Sequence, residues 1–395
     1  MRNKLILSAI LVLIFSASGF AQPAQENFRI NHGPYLCDMS ETGVTIVWST
    51  NRKAMSWVEV APDDGTNFYG YERPKHYDTK YGRIQANSTL HKVRINNLKP
   101  GTKYRYAIFS KELLEWSTDS KILYGTTVAN AAYARNPLAF RTFSAEDDSV
   151  NFIVFNDLHG RAQFMKDMCK NIDFKKIDFV IFNGDMSSAI NSEDQLFTDF
   201  IDPSVELFAS RVPVMFTRGN HETRGTHADN LMNYFPKQNP TIYEMVRVGN
   251  AAFLMLDCGE DKPDSDIEYS GLADFDSYRE EEAAWLKETV ETAAYKNAKV
   301  KMAIIHMPPM VSNWHGNIHL TETLLPILNG AGVTAMLSGH THRYSFNPPV
   351  PGTINFPVLV NSNNALIRCE IVNNKVKATI IGPDAKPIEH SFTAQ

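Results

Sequence analysis

The chain has no run of basic residues, no closely spaced cysteine pair, no internal repeat and no low-complexity stretch. Each absence excludes something. Without a basic run, and with a formal charge of −5, the protein is not built to hold a nucleic-acid polymer by its backbone. Its four cysteines, Cys37, Cys169, Cys258 and Cys369, are too far apart for a CxxC zinc or redox motif. Three full disulfide pairings stay open, and so does none, because a buried thiol also serves as a small apolar side chain. Beyond the first residues no apolar stretch is long enough to cross a bilayer, so no membrane span is expected. What is present, 395 residues that are 43% hydrophobic and 21% charged, suffices for two or three globular domains.

Arg2 and Lys4 precede an apolar stretch over 5–15, and Gly19-Phe20-Ala21 supplies a small-residue cleavage site. This reads as a secretory signal peptide over residues 1–21, the apolar run being too short for an anchor. The mature chain is therefore expected outside the cytoplasm: periplasmic, at the cell surface or secreted. Cleavage removes two cations and no acid, moving the charge from −5 to −7. Any anionic ligand must then be recognised by bound metals and one or two local cations.

Residues 27–142 read as an all-β module. Val44, Ile46 and Trp48 alternate with Thr45, Val47 and Ser49, the period of a half-buried strand. Val93 and Ile95 continue the alternation, and Leu98-Lys99-Pro100-Gly101-Thr102 is a turn launching Lys103-Tyr104-Arg105-Tyr106. After a polar, proline-interrupted linker around 135–148 the rhythm changes. Short apolar runs at 151–155, 179–182, 212–216, 253–256, 302–305 and 335–337 suit strands buried on both faces. The spacing between them predicts helices, the clearest over 279–291, with Tyr278, Trp285, Leu286 and Val290 available for one face. Strands alternating with helices imply a layered α/β domain over 149–395. The tail from residue 356 returns to short strands, expected to complete that domain's second sheet.

Five of the six runs end on residues able to bind metal: Asp157-Leu158-His159, Gly184-Asp185, Gly219-Asn220-His221-Glu222, His306, and Gly339-His340-Thr341-His342. That places a site at the carboxyl edge of a sheet, where open α/β folds bind ligands. Two carboxylates, one amide and four imidazoles can hold two cations if one carboxylate is shared. Such a pair clamps a phosphate for in-line displacement. Carboxylate and imidazole donors suit Mn, Fe, Zn or Ni without choosing among them.

The ordered set D-x-H, GD, GNHE, H, GHxH resembles the signature of the calcineurin-like metallophosphoesterases. The turn at 98–106 resembles the tyrosine corner of fibronectin type III sandwiches, with Trp48 as core tryptophan. Together the layout is similar to that of purple acid phosphatases. The resemblance implies a fibronectin-like β-sandwich followed by a four-layer α/β domain, a β-sandwich flanked by helices. It also implies two metal ions, one on Asp157, His159 and His342, the other on Asn220, His306 and His340, with Asp185 bridging. His221 would stabilise charge or protonate the leaving oxygen. Arg218, in the string Arg218-Gly219-Asn220-His221-Glu222, would grip phosphate, or else serve in a salt bridge. Glu222 would orient a neighbour. Purple acid phosphatases carry a tyrosine three residues after the GD aspartate, where this chain has Ser188. The colour of a ferric phenolate is therefore not expected.

Residues 306–319 add Trp314 and His315, a loop suited to form one wall of a substrate pocket or to pack at the surface. His315 is a candidate substrate contact. The activity implied is hydrolysis of small phosphate esters, monoesters first, by a metal-bound hydroxide. The alternatives are a phosphodiesterase or nucleotide hydrolase on the same residues, or a silent surface protein that binds glycans or a partner.

Overall fold

The computed structural model describes residues 26–117, 121–130, 138–239, 241–383 and 386–394. The expected signal peptide, linker residues 135–137 and the turn residue Asp384 lie outside them.

β-Branched and aromatic residues put the first module into antiparallel strands. Ile30–Cys37 pairs with Val44–Pro62, which in turn pairs with Ser88–Ile95 and Lys103–Trp116; Ile122–Ala129 and Leu138–Arg141 pair with the last of these. Trp48 is fully buried and donates from Nε1 to Ser110 Oγ (2.9 Å). The Tyr104 hydroxyl accepts the backbone N–H of Lys99 (2.9 Å), closing the turn as a tyrosine corner does. The half-buried pattern expected of Val44–Ser49 does not form, because both faces are buried. Ile46 and Trp48 lie in a core that also takes in Phe152, Phe179 and Phe253 of the following domain, while Val47 and Tyr35 join a second cluster with that domain's Phe182, Phe197 and Phe216.

That domain has four layers. Ser149–Phe155, Phe179–Asn183 and Val214–Thr217 run parallel in one sheet. Ala251–Met255, Val300–Ile304, Ala335–Ser338 and Val358–Val360 run parallel in the other, flanked by antiparallel Glu244–Val248 and Ser345–Asn347. Phe152, Phe179, Phe253 and Met302 fill the space between the sheets. Helical segments carrying Met165, Phe197 and Phe200 cover the outer face of the first, and Leu286, Leu320 and Leu325 that of the second. Among the described residues no helix is long and apolar enough to cross a membrane.

Two expectations need correction. Of the tail, only Val358–Val360 joins the second sheet; Leu366–Val372, Lys375–Ile381 and Ile388–Thr393 extend the first beside Ser149–Phe155. The second sheet's edge is already taken by Ser345–Asn347, whereas Ser149–Phe155 offers an open one to pair. The helix expected over 279–291 spans Phe275–Thr289, and its buried side includes charge: Arg279 and Glu282 lie beside Leu286. They hold the loop after Met255, Arg279 Nε donating to the Cys258 carbonyl (3.0 Å) and Glu282 accepting the Asp257 N–H (2.9 Å). All four cysteines are buried free thiols.

Candidate metal centre

Sequence alone pointed to one sheet edge, but the ligand motifs leave the carboxyl ends of two. Asp157, His159, Asp185 and Asn220 follow strands of the first sheet, and His306, His340 and His342 follow strands of the second. Asn183 joins the two edges just below the site. Its Nδ2 reaches the carbonyls of Ile305 (3.4 Å) and Leu337 (3.3 Å), and its Oδ1 accepts from Thr217 Oγ1 (2.7 Å).

The side chains converge in two groups that share Asp185. One is Asp157, His159, Asp185 and His342; the other is Asp185, His306 and His340. His159 Nε2 lies 3.1 Å from His342 Nε2 and 3.9 Å from Asp185 Oδ2. His342 Nε2 is 3.2 Å from Asp157 Oδ1, and His306 Nε2 is 3.1 Å from Asp185 Oδ2. Asn220 Oδ1 sits 3.1 Å from His340 Nδ1, adding an amide oxygen to the second group. The Asn183 carbonyl can only accept, so His306 Nδ1 carries the hydrogen (2.7 Å) and Nε2 is turned onto the carboxylates.

Electrostatics mark the same spot. Burial opposes charge on His306, yet Asp185 and Asp157 outweigh it and push the imidazole up to about 10. Burial alone would raise Asp185, but His306 and His221 hold it well below the usual carboxylate range. Burial lowers His340 to about 4. Two buried acids demand compensating positive charge here.

Local backbone supports the convergence at a cost. Asp157, His159, Asp185, His340 and His342 all have positive φ, between 49° and 70°. A left-handed non-glycine residue costs about 1–3 kcal/mol and persists only where its surroundings over-determine it. The glycine of GNHE serves close approach, and its φ is not positive. A Cβ on Gly219 would lie 2.2 Å from Asp185 Oδ1. Gly184 does turn (φ +77°), and its Cβ would also strike His306 at 2.5 Å.

Around this core the remaining sequence candidates divide. Glu222 is fully buried, and its carboxylate accepts the backbone N–H groups of Asp185 (2.7 Å), Met186 (2.6 Å), Ser187 (3.2 Å) and Gly219 (2.8 Å). It thus ties the GD loop to the GN loop. His221 donates from Nδ1 to the Ser188 carbonyl (2.8 Å), leaving Nε2 3.9 Å from Asp185 Oδ2. Ser188 Oγ lies 3.4 Å from His159 Nδ1, where purple acid phosphatases would bring a phenol. Arg218 makes the salt bridge that was the alternative to a phosphate contact: its guanidinium grips buried Asp257 (2.6 and 3.3 Å) and packs on Phe275 and Tyr278. His315 likewise is turned away, its Nε2 on Asp276 (2.8 Å). Trp314 beside it is edge-on to His340 at 6.2 Å and 50% exposed.

Sequence reasoning missed Arg224, 3.4 Å from His221 Nε2 and paired with Glu260 through two 2.8 Å bonds. It also missed Asn156, whose Nδ2 donates to Asp157 Oδ2 (2.5 Å). The signal for Asn156 and Asn183 was an amide closing an apolar strand directly before a ligand motif. Arg224 had none, because Glu260 arrives from a distant loop.

The residues present fit metal ions. Asp157 Oδ1 and His306 Nε2 are buried and 3.8 Å apart, and make no well-formed hydrogen bond although His342 Nε2 lies 3.2 Å from the first and Asp185 Oδ2 3.1 Å from the second. Buried polar atoms are rarely left unsatisfied, and two donors of this kind beside Asp185 form a cradle for a cation.

Comparison with known proteins accords with this geometry. Residues 150–344 match the calcineurin-like phosphoesterase family, and residues 35–122 match the purple acid phosphatase N-terminal domain. No curated protein matches the chain. Among solved structures, purple acid phosphatase PPD1 from yellow lupin (Lupinus luteus) seeds aligns with 91% of this chain and 73% of its own, at 13% identity and a TM-score of 0.64. At that identity the likeness is one of fold. The Thermus thermophilus sulfate thiohydrolase SoxB aligns with 61% of this chain and 43% of its own, at 16% identity and a TM-score of 0.34.

Proposed function

We propose that this chain, a calcineurin-like phosphoesterase behind a purple acid phosphatase N-terminal domain, is an exported hydrolase of small phosphomonoesters that works with two metal ions. The observation that carries the reading is the pair of buried atoms able to ligate a cation, Asp157 Oδ1 and His306 Nε2, inside two groups joined by Asp185. In this reading Asp157, His159 and His342 hold one ion, Asn220, His306 and His340 the other, and Asp185 both. Bound there, divalent cations neutralise phosphate oxygens and lower the pKa of an attacking water.

The chain's own residues do the rest. Glu222 fixes the loops of Asp185 and Asn220, so the ligands are set before substrate arrives. Asn183 and Asn156 orient His306 and Asp157. With Nδ1–H committed to the Ser188 carbonyl, His221 presents Nε2 to the reacting group, and the ring protonated at both nitrogens is the form that passes the Nε2 proton to the leaving oxygen. Arg218 acts at one remove, anchoring Asp257 and the loop that follows.

Export rests on the sequence of residues 1–21, and mass analysis of the mature chain tests it: an intact N-terminus in a cytoplasmic fraction would defeat it. For the activity, the mature protein is assayed on p-nitrophenyl phosphate and a matched diester with Mn, Zn, Fe and Ni. Turnover of the monoester is expected with at least one metal. No turnover of either ester with any metal sinks the proposal.

A further inference from the structure

Next to the candidate centre, on the side of His221 and Arg224, the surface opens into a cavity of about 880 Å³. Its walls include Arg224, Leu231, Met232, Ile242, Leu272 and Phe275. One pair of side chains separates the cavity from the candidate ligands: Arg224, on its wall, lies 3.4 Å from His221 Nε2, and His221 Nε2 is 3.9 Å from Asp185.

The lining says what kind of group fits. Both arginines on the wall already hold carboxylates, Arg218 on Asp257 and Arg224 on Glu260, Glu268 is paired with Lys262, and Asp229 adds negative charge. A second phosphate or a polyanion finds no matching field there. The apolar side chains are another matter. Leu272 stands 90% exposed at the cavity wall, with Phe275, Met232 and Ile242 also lining it. Exposed apolar surface concentrated in a concave site beside a reaction centre marks a ligand-binding groove.

We propose that this cavity receives the alcohol half of the substrate, and that the enzyme prefers phosphomonoesters with an extended apolar alcohol to small polar ones. Leu272 is a specificity-determining residue in this scheme, with Phe275 also on the wall. The inference rests on the proposed phosphomonoesterase reading for where the phosphoryl group sits. It goes beyond that reading in naming the chemistry of the other half.

The test uses the metal-loaded mature protein and two homologous series, methyl to hexyl phosphate for kcat/KM and methyl- to hexylphosphonate for calorimetric Kd. Each added methylene entering the cavity should tighten Kd about three- to fourfold and raise kcat/KM in step. Leu272→Asp, on an exposed side chain whose replacement leaves the core alone, should flatten both slopes, and Leu272→Met should restore them. A Kd independent of chain length in the native protein overturns the inference, as does a slope that Leu272→Asp leaves intact. A chain-length slope in phosphonate binding with no hydrolysis of any phosphate would sink the phosphomonoesterase reading and leave this one standing.

Discussion

At the scale of single residues, charge and burial decide most. Asp185 belongs to both ligand groups, whereas His159 belongs to one. Asp185→Asn should therefore weaken both metal positions together, by more than about tenfold, and His159→Ala should weaken one first. Metal titration by calorimetry separates the two patterns. Equal single-site losses in both variants would show that Asp185 is not shared. Far from the centre, His91 is buried in the first module with Nε2 2.8 Å from Thr50 Oγ1, and burial lowers its pKa from 6.5 to about 3. The folded state favours the neutral ring, so its contribution is present above pH 6.5. It is lost as pH falls toward 3, at up to about 1.4 kcal/mol per pH unit for one proton. Chemical denaturation between pH 7 and 4 should show a shallower decline for His91→Gln than for the native protein. Parallel curves would mean that His91 is not the group responsible.

At the scale of elements, the site depends on how closely strand ends approach. Gly219 leaves no room for a methyl group: its Cβ would meet Asp185 at 2.2 Å from Oδ1 and 2.5 Å from the backbone nitrogen. The backbone amides on either side are bound to Glu222, so neither loop can give way freely. Gly219→Ala should lose most bound metal and cost about 1–3 kcal/mol in stability, as overpacking does. Gly330→Ala, whose methyl would meet open space, is the matched control and should change neither. Metal content by elemental analysis and the thermal midpoint read both outcomes. Full metal content in Gly219→Ala would mean that the two loops are looser than they look.

At the scale of the whole molecule, the two regions share structure. Cys37 pairs in parallel with Val214, so one sheet runs from the first module into the second domain. Tyr35 and Tyr106 donate across to the carbonyls of Tyr234 (2.8 Å) and Ser210 (2.7 Å), and His32 stacks on Phe197 at 4.0 Å. One apolar cluster contains Leu36, Trp48 and Tyr106 together with Phe152, Phe179 and Phe253. A core common to both regions couples their unfolding. Calorimetry of the mature chain is expected to give a single transition with equal calorimetric and van't Hoff enthalpies, and Trp48→Ala should lower its midpoint as a whole. Two separable transitions would show that the shared core is not cohesive.

The sequence by itself determined the candidate ligand types, their order and their position at strand ends, because each lies within a few residues of a short apolar run of the kind that forms a buried strand. Trp48 and the Tyr104 corner were legible for the same reason, being local patterns with local causes. Only the tertiary structure decided that the ligands come from two facing sheets, that the tail pairs with the first sheet, and that Arg218, Arg224 and His315 are bound to Asp257, Glu260 and Asp276. A guanidinium or imidazole takes whichever carboxylate the fold brings within reach. These partners are 39, 36 and 39 residues away along the chain, a separation over which no periodicity carries information.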